Sequence, residues 1–216
     1  MTRRIVFGLL GLVSFVIGMT GAAGAGADWA DRSYFAGQLG AFVPGDDLDD
    51  ADLHTRTAFL LSYGYHLTPT LSVEGAAGYA AAHGDHSRFY PVVGYTDVDM
   101  NLAVLPLTVS LVGHLPLGRL ELEGGGGVGL YYAYFDGDLD NFWWDHRTFN
   151  DSDFVTGVHL EAAVTYRFAS RFSAGISARR WWTQEAGFHD SVHGVAVRLD
   201  ANLDGWVVGG RIGFQF

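Results

Sequence analysis

The chain has 216 residues, a formal net charge of −11, no cysteine and no lysine, all 13 basic residues being arginine. So acidic a chain is unsuited to nucleic-acid backbones, which are bound through cationic contacts to phosphate, and without thiols its fold has to hold without disulfides. After residue 27 no stretch approaches the ~20 apolar residues of a spanning helix, so a membrane-spanning fold of this chain would have to be a closed barrel, in which no strand edge is left unpaired in lipid.

The first segment reads as a targeting signal. Arg3 and Arg4 form a basic start, Ile5–Ile17 an apolar run, and Ala25-Gly26-Ala27 a small-residue cleavage site before Asp28. Residues 1–27 are therefore expected to be a cleaved secretory signal peptide handled by general secretion. Residues 28–216 form one domain.

That domain reads as eight strands. The first, Ser33–Val43, places Phe35, Gly37, Leu39, Ala41 and Val43 on one face. The following Pro44–His54, rich in Asp, offers no capacity to pack. The second strand, Thr55–Leu67, alternates Phe59, Leu61, Tyr63, Tyr65 and Leu67 against Ala58, Leu60, Ser62, Gly64 and His66. A turn at Thr68-Pro69-Thr70 leads into Leu71–Ala82, with Glu74 on its non-greasy face, and then a long connection over His83–Thr96.

The fourth strand, Asp97–Leu115, changes phase. Val98, Met100, Leu102 and Val104 are its apolar set at first, and Leu107, Val109 and Leu111 take over after Pro106. A one-residue phase change at a proline predicts a β-bulge at Leu105-Pro106. After a short turn at His114–Gly118, the fifth strand, Arg119–Phe135, sets Leu120, Leu122, Val128 and Leu130 against Glu121, Glu123 and Tyr131. Its Gly124–Gly127 run is not a phosphate loop, because strand alternation continues where a helix would have to start.

A long connection, Asp136–Asp153, precedes the sixth strand, Phe154–Phe168, which puts His159, Glu161, Thr165 and Arg167 on one face. Ala169-Ser170-Arg171 is a minimal turn. The seventh strand, Phe172–Gln184, carries Arg179 and ends beyond Trp181-Trp182. Glu185–Leu199 is a fourth long connection. Asn202–Phe216 closes the set with Trp206, Val208, Ile212, Phe214 and Phe216 on one face and Arg211 on the other.

Connections that alternate long and short, with aromatic residues gathered at strand ends, predict an all-β, eight-stranded antiparallel up-and-down transmembrane β-barrel. A soluble barrel would turn its greasy face inward and clothe the other with dense polar groups. Here the second face is glycine, alanine and serine with isolated charges, which suits the tight interior of a narrow membrane barrel. Charges there have to pair to survive burial, and arginine is the better fork for carboxylates. Arg167, Arg179 and Arg211 are expected to neutralise Glu74, Glu161 and the Glu121/Glu123 pair, with His66 and His159 hydrogen-bonding among them.

HLTPTLSVE at 66–74, LPLTVSLVGHLPLG at 105–118, GGGGVGLYYAYFD at 124–136 and the final GWVVGGRIGFQF resemble the small outer-membrane barrels of the OmpA/OmpX/OmpW type, and the Leu105-Pro106 and Gly-rich stretches are most similar to OmpW. The last strand resembles the C-terminal strand of such barrels, in which a terminal Phe is part of the signal read by the insertion machinery. The resemblance implies that Phe214 and Phe216 serve as an assembly signal. It also implies an outer-membrane location with both termini periplasmic. The partners it implies are outer-membrane lipids and lipopolysaccharide, with the barrel-assembly machinery and periplasmic chaperones during biogenesis.

Three segments invite a chemical reading. Asp136-Gly137-Asp138-Leu139-Asp140 opens like a Ca²⁺ loop, but Asn141 and Arg147 stand where the EF-hand needs Gly and Glu. His189, Asp190, Ser191 and His193 supply the residue types of a hydrolytic triad, yet neighbours in one loop rarely converge into its geometry. Arg180, on the lipid-facing parity near one rim, could reach a lipopolysaccharide phosphate. No metal site and no cofactor is expected. The sequence points to a monomeric, non-catalytic barrel with an envelope or surface-loop role. The alternatives are an OmpW-like narrow conduit for small hydrophobic molecules and, behind it, a lipid-modifying hydrolase.

Overall fold

The computed structural model of the chain describes residues 33–45, 48, 54–90, 94–141, 145–192 and 195–216, with the side chains of 85–98, 139–149 and 188–200 left aside. Its strands are β1 (Ser33–Pro44), β2 (His54–Thr68), β3 (Leu71–Tyr90), β4 (Gly94–Leu117), β5 (Leu120–Asn141), β6 (Asp145–Arg167), β7 (Phe172–Thr183), β8 (Glu185–Val192), β9 (Val195–Asn202) and β10 (Gly205–Gln215). Eight of them close into a barrel in the order β1-β10-β7-β6-β5-β4-β3-β2, and β8 and β9 form a separate two-stranded ribbon. Every barrel pairing is antiparallel. The closing pair runs from Tyr34 opposite Gln215 to Pro44 opposite Gly205.

Period-two alternation decides which side of the wall each residue takes. Apolar side chains stand exposed on all eight barrel strands, among them Leu39, Leu61, Tyr79, Leu111, Val128, Leu160, Ile176 and Ile212. A water-soluble protein does not surround itself with such a belt, whereas a barrel in hydrocarbon requires one. At one end the turns are short. Thr68 Oγ1 accepts from the Thr70 amide at 3.3 Å in the first turn, and Gly118, at φ 72°, provides the left-handed residue of the second.

The same rim carries a chain of ring contacts that crosses the closing seam. Phe168 stacks on Phe172, Phe172 meets Phe214, Phe214 meets Phe216, Phe216 stacks on Phe35 at 5.5 Å, and Phe35 meets Tyr63. The Phe216 amide also donates to the Ser33 carbonyl at 3.0 Å. The terminal residue thus joins the last strand to the first by backbone and by ring.

Three expectations are corrected. The bulge at Leu105 and Pro106 is absent. Val104, Leu105, Pro106 and Leu107 face Ala133, Tyr132, Tyr131 and Leu130 without a shift, and the β3–β4 offset is the same at Ala77/Leu107 and Ala80/Val104. Leu102, Val104, Thr108, Ser110, Val112 and His114 are all buried toward the interior. What changes near Pro106 is the chemistry of the lumen, apolar above and polar below, and that change imitates a change of phase. Register shifts do occur in β2, between Thr55 and Ala58 and between His66 and Thr68.

Second, the long connections 83–96 and 136–153 are mostly strand, since β3 and β4 pair as far as Tyr90/Gly94 and β5 and β6 as far as Asn141/Asp145. Most of Glu185–Leu199 likewise lies in the β8–β9 ribbon. Ladders in water need only their backbone bonds, so these extensions lack the greasy alternation that marks the membrane portion. At a rise of ~3.3 Å per residue, the 24 residues of β4 run roughly 80 Å, well beyond an apolar band ~25 Å tall even when tilted. Third, Leu48 within Pro44–His54 is not idle but buried in the same cluster as Phe42 and Leu203. The Asp residues flanking Leu48, His193 and the expected signal peptide lie outside the described residues.

Removing Phe216 should slow assembly of newly made barrel while leaving a barrel already inserted nearly as stable to urea. The check is folding kinetics into lipid vesicles beside equilibrium unfolding. Equal folding rates for wild type and truncation would contradict it.

Candidate functional site

The barrel interior is built in layers, and the first lies at the short-turn end. A cavity of about 410 Å³ opens there, lined by Tyr34, His66, His114, Glu121, Glu123 and Arg167 among others. His114 is held on both sides, with Nε2 2.7 Å from Ser72 Oγ and Nδ1 2.8 Å from Glu121 Oε1. Arg167, largely exposed, donates to Glu121 Oε2 at 3.0 Å. His66 packs its ring against Tyr34 and, at 4.7 Å between centroids, against His114.

The next layer is centred on Glu74, which has no exposed surface. Arg211 donates to its Oε2 at 2.8 Å, and Tyr34 donates to the same oxygen at 3.0 Å. Arg211 also pairs with Glu123 at 3.1 Å, and Thr165 donates to the other Glu123 oxygen. Arg179 reaches Glu74 Oε1 at 3.4 Å, donates to Thr108 Oγ1 at 3.1 Å and pairs closely with Glu161. His159 Nε2 lies 2.7 Å from Ser110 Oγ in the same zone. Small residues make this density possible: a Cβ on Gly64 would overlap the Tyr34 ring, and one on Gly127 would strike the β4 backbone at Val109.

Above the charges the lumen turns apolar. Trp181 stacks on Phe42 at 5.2 Å and meets Tyr131 at 5.5 Å, and its indole donates to the Leu203 carbonyl at 2.6 Å. Phe42, Tyr131 and Trp181 have no exposed surface, and Leu102, Val104, Leu203 and Val207 are equally buried around them. An inward side chain beside a water-filled lumen would be wetted from that lumen. These are dry, so at their level the barrel is filled across its width.

A model of the outer membrane protein beta-barrel domain matches residues 12–215. The chain belongs to that outer-membrane β-barrel family. In shape this outer-membrane barrel is similar to OprG from Pseudomonas aeruginosa, with a TM-score of 0.61 and 18% identity over 88% of this chain and 98% of that one. It is also similar to a major outer membrane protein of Thermus thermophilus (TM-score 0.53, 15% identity, 85% and 99% coverage). The outer membrane protease OmpT of Escherichia coli is comparable in shape (TM-score 0.53, 9% identity, 89% and 99% coverage). At such identities the likeness speaks for the fold alone. No curated protein matches the chain in sequence.

Within the outer-membrane barrel the ion pairs join Glu74, Glu123, Glu161, Arg179 and Arg211 in one set and Glu121 with Arg167 in another, and hydrogen bonds through His114, Ser72 and Tyr34 link the two. His159 bonds Ser110 rather than any of the seven, His66 stacks with rings, and the buried Nδ1 of each has no hydrogen-bond partner. The side chains of His189, Asp190 and Ser191 are among those left aside, and their backbone is paired in the β8–β9 ribbon. The sequence alone puts His114 in a turn, which hides its place on the inner face. Its inward parity with Thr108 and Ser110 is the signal that could have placed it. Tyr34 and Ser72 carry no charge by which alternation alone would mark them.

Ser72, His114 and Glu121 follow the order of a hydrolytic triad, but Ser72 is fully buried and does not line the cavity. A nucleophile needs access to its substrate, and this hydroxyl is shut behind Tyr34.

Glu74→Gln leaves two buried guanidiniums under-neutralised and should destabilise the folded barrel by about 3–5 kcal/mol. Arg167→Met, at the exposed edge, should cost about 1 kcal/mol or less. Urea unfolding in lipid vesicles would measure both, and equal losses would contradict the layered account.

Proposed function

We propose that the protein is a non-catalytic, monomeric barrel that serves the envelope structurally, with its short turns and termini periplasmic and its extended β-ribbons turned outward. One observation carries this reading: the lumen is filled at the level of Phe42, Tyr131 and Trp181, none of which has exposed surface. A conduit for small molecules would require that layer to part and a buried, ion-paired layer below it to open. A hydrolase would need an accessible nucleophile, and the interior serines paired with histidine, Ser72 and Ser110, are buried. The long ribbons support an outward-facing role, since β3 to β6 continue far past the apolar belt.

In planar bilayers the purified protein should give no reproducible unitary conductance. Replacing Phe42 and Trp181 together with alanine should produce a leak. Discrete wild-type channels would sink this reading in favour of the narrow conduit.

Lipopolysaccharide is the proposed lipid partner at the outer rim. Arg180 lies 5.5 Å from the centroid of the Trp182 ring and 5.7 Å from that of Trp206, and its pairing with Asp204 is long, at 4.0 Å. A guanidinium flanked by two interfacial rings suits a phosphate at headgroup depth. Arg180→Gln should reduce the lipopolysaccharide that copurifies with the folded barrel, and unchanged retention would count against the site.

A further inference from the structure

The short-turn cavity gathers ligand atoms from three side chains close enough for one proton or one metal ion to bridge. His114, Glu121 and Glu123 offer one nitrogen and two carboxylate oxygens that all lie within 4.8 Å of one another. Protons can be followed through their neighbours. With the Tyr34 hydroxyl donating to Glu74, one arrangement has Ser72 donate to Tyr34 across their 3.1 Å contact. Ser72 has a single proton, so in that arrangement it accepts across its 2.7 Å contact with His114, and His114 Nε2 carries the hydrogen. A neutral imidazole of that tautomer turns a bare Nδ1 lone pair toward Glu121 Oε1, 2.8 Å away. Two lone pairs do not meet at that distance unless a proton or a metal cation lies between them.

The charge balance leans the same way. The ion pairs fall into two sets, Glu74, Glu123 and Glu161 with Arg179 and Arg211, and Glu121 with Arg167, so four carboxylates face three guanidiniums. The missing positive charge belongs to the first set, which supplies Glu123 to the cluster, and the imidazole–carboxylate contact lies in the second. We propose that His114, Glu121 and Glu123 bind a divalent transition-metal ion, of the Zn²⁺ or Co²⁺ class, at the inner end of the cavity.

The donor set and its surroundings fit such an ion. One imidazole and two carboxylates are ordinary ligands for it, at ~2.0–2.2 Å, and two atoms bound to one ion at those lengths lie roughly 3.0–3.4 Å apart. Nδ1 and Oε1 would separate by only a few tenths of an ångström. Each partner is already held from behind, which is how outer-shell groups orient ligands. Ser72 takes the far nitrogen of His114, Arg167 the second oxygen of Glu121 and Arg211 that of Glu123. The 410 Å³ cavity provides the entry path and room for water on the open side of the ion. His66 stands beside His114 with its buried Nδ1 unpartnered.

The test uses untagged protein folded in detergent, stripped with chelator and titrated with Co²⁺ in visible absorption, then with Zn²⁺ in competition. One saturable equivalent is expected. His114→Asn and Glu121→Gln should each weaken binding at least tenfold while keeping the heat-modifiable gel mobility of a folded barrel. His83→Asn, whose hydrogen bond is to Asn101, should bind as wild type. X-ray absorption of the Zn²⁺-loaded wild type gives a readout independent of the variants, and imidazole scattering within an otherwise oxygen shell is expected. Lack of stoichiometric binding, an all-oxygen shell, or undiminished binding by folded His114→Asn and Glu121→Gln would overturn the proposal. The last two results would place the ion on surface carboxylates.

Discussion

Glu74 lies without exposed surface between two guanidiniums and a phenol, and much of the interior exists to keep it there. A lone carboxylate in a medium of low dielectric constant is costly enough that it would not stay ionised. Sharing it between Arg211 and Arg179, and tying each arginine to a further carboxylate, spreads the charge over a set that neutralises most of itself. Arginine suits this because its fork meets two partners in one plane. The bonds run between β3, β7 and β10, elements far apart in the sequence. They therefore brace the barrel across its diameter, which the backbone ladders around the wall cannot do.

The two remaining layers follow from that brace. Toward the ribbons, Phe42, Tyr131 and Trp181 keep water from the charges, and the Trp181 indole is anchored to the Leu203 carbonyl just before β10. Toward the short turns, the network thins into a cavity whose ion pairs are partly exposed. Outside, the wall is greasy on every strand, and an aromatic chain at the short-turn rim crosses the seam between β10 and β1. Inside and outside thus make opposite demands on alternate residues, and one strand pattern meets both.

Much of this was legible because alternation is a local property. The eight barrel strands, the outward belt, and the arginines and glutamates on the inner face can all be read from parity. Pairing partners could not be, since Glu74 and Arg211 meet only through barrel closure and strand stagger. The phase change at Pro106 misled for a physical reason. Greasiness marks parity only where one face stays apolar, and in β4 the inner face itself changes from Leu102 and Val104 to Thr108 and Ser110. The extensions of β3 to β6 were hidden because strands standing in water need no apolar face. His114 was hidden because the β4–β5 turn is tighter than the run of residues around Pro116 implied.

The central claim is that the interior is a packed, self-bracing core with no water column through it. Hydrogen exchange at the Trp181 indole, followed by nuclear magnetic resonance in lipid nanodiscs, tests it most directly, because that hydrogen sits in the filled layer and bonds to Leu203. A closed core predicts protection approaching that of the barrel's backbone ladders. Exchange as fast as that of a water-exposed indole would mean that water passes the plug, and the account would be wrong.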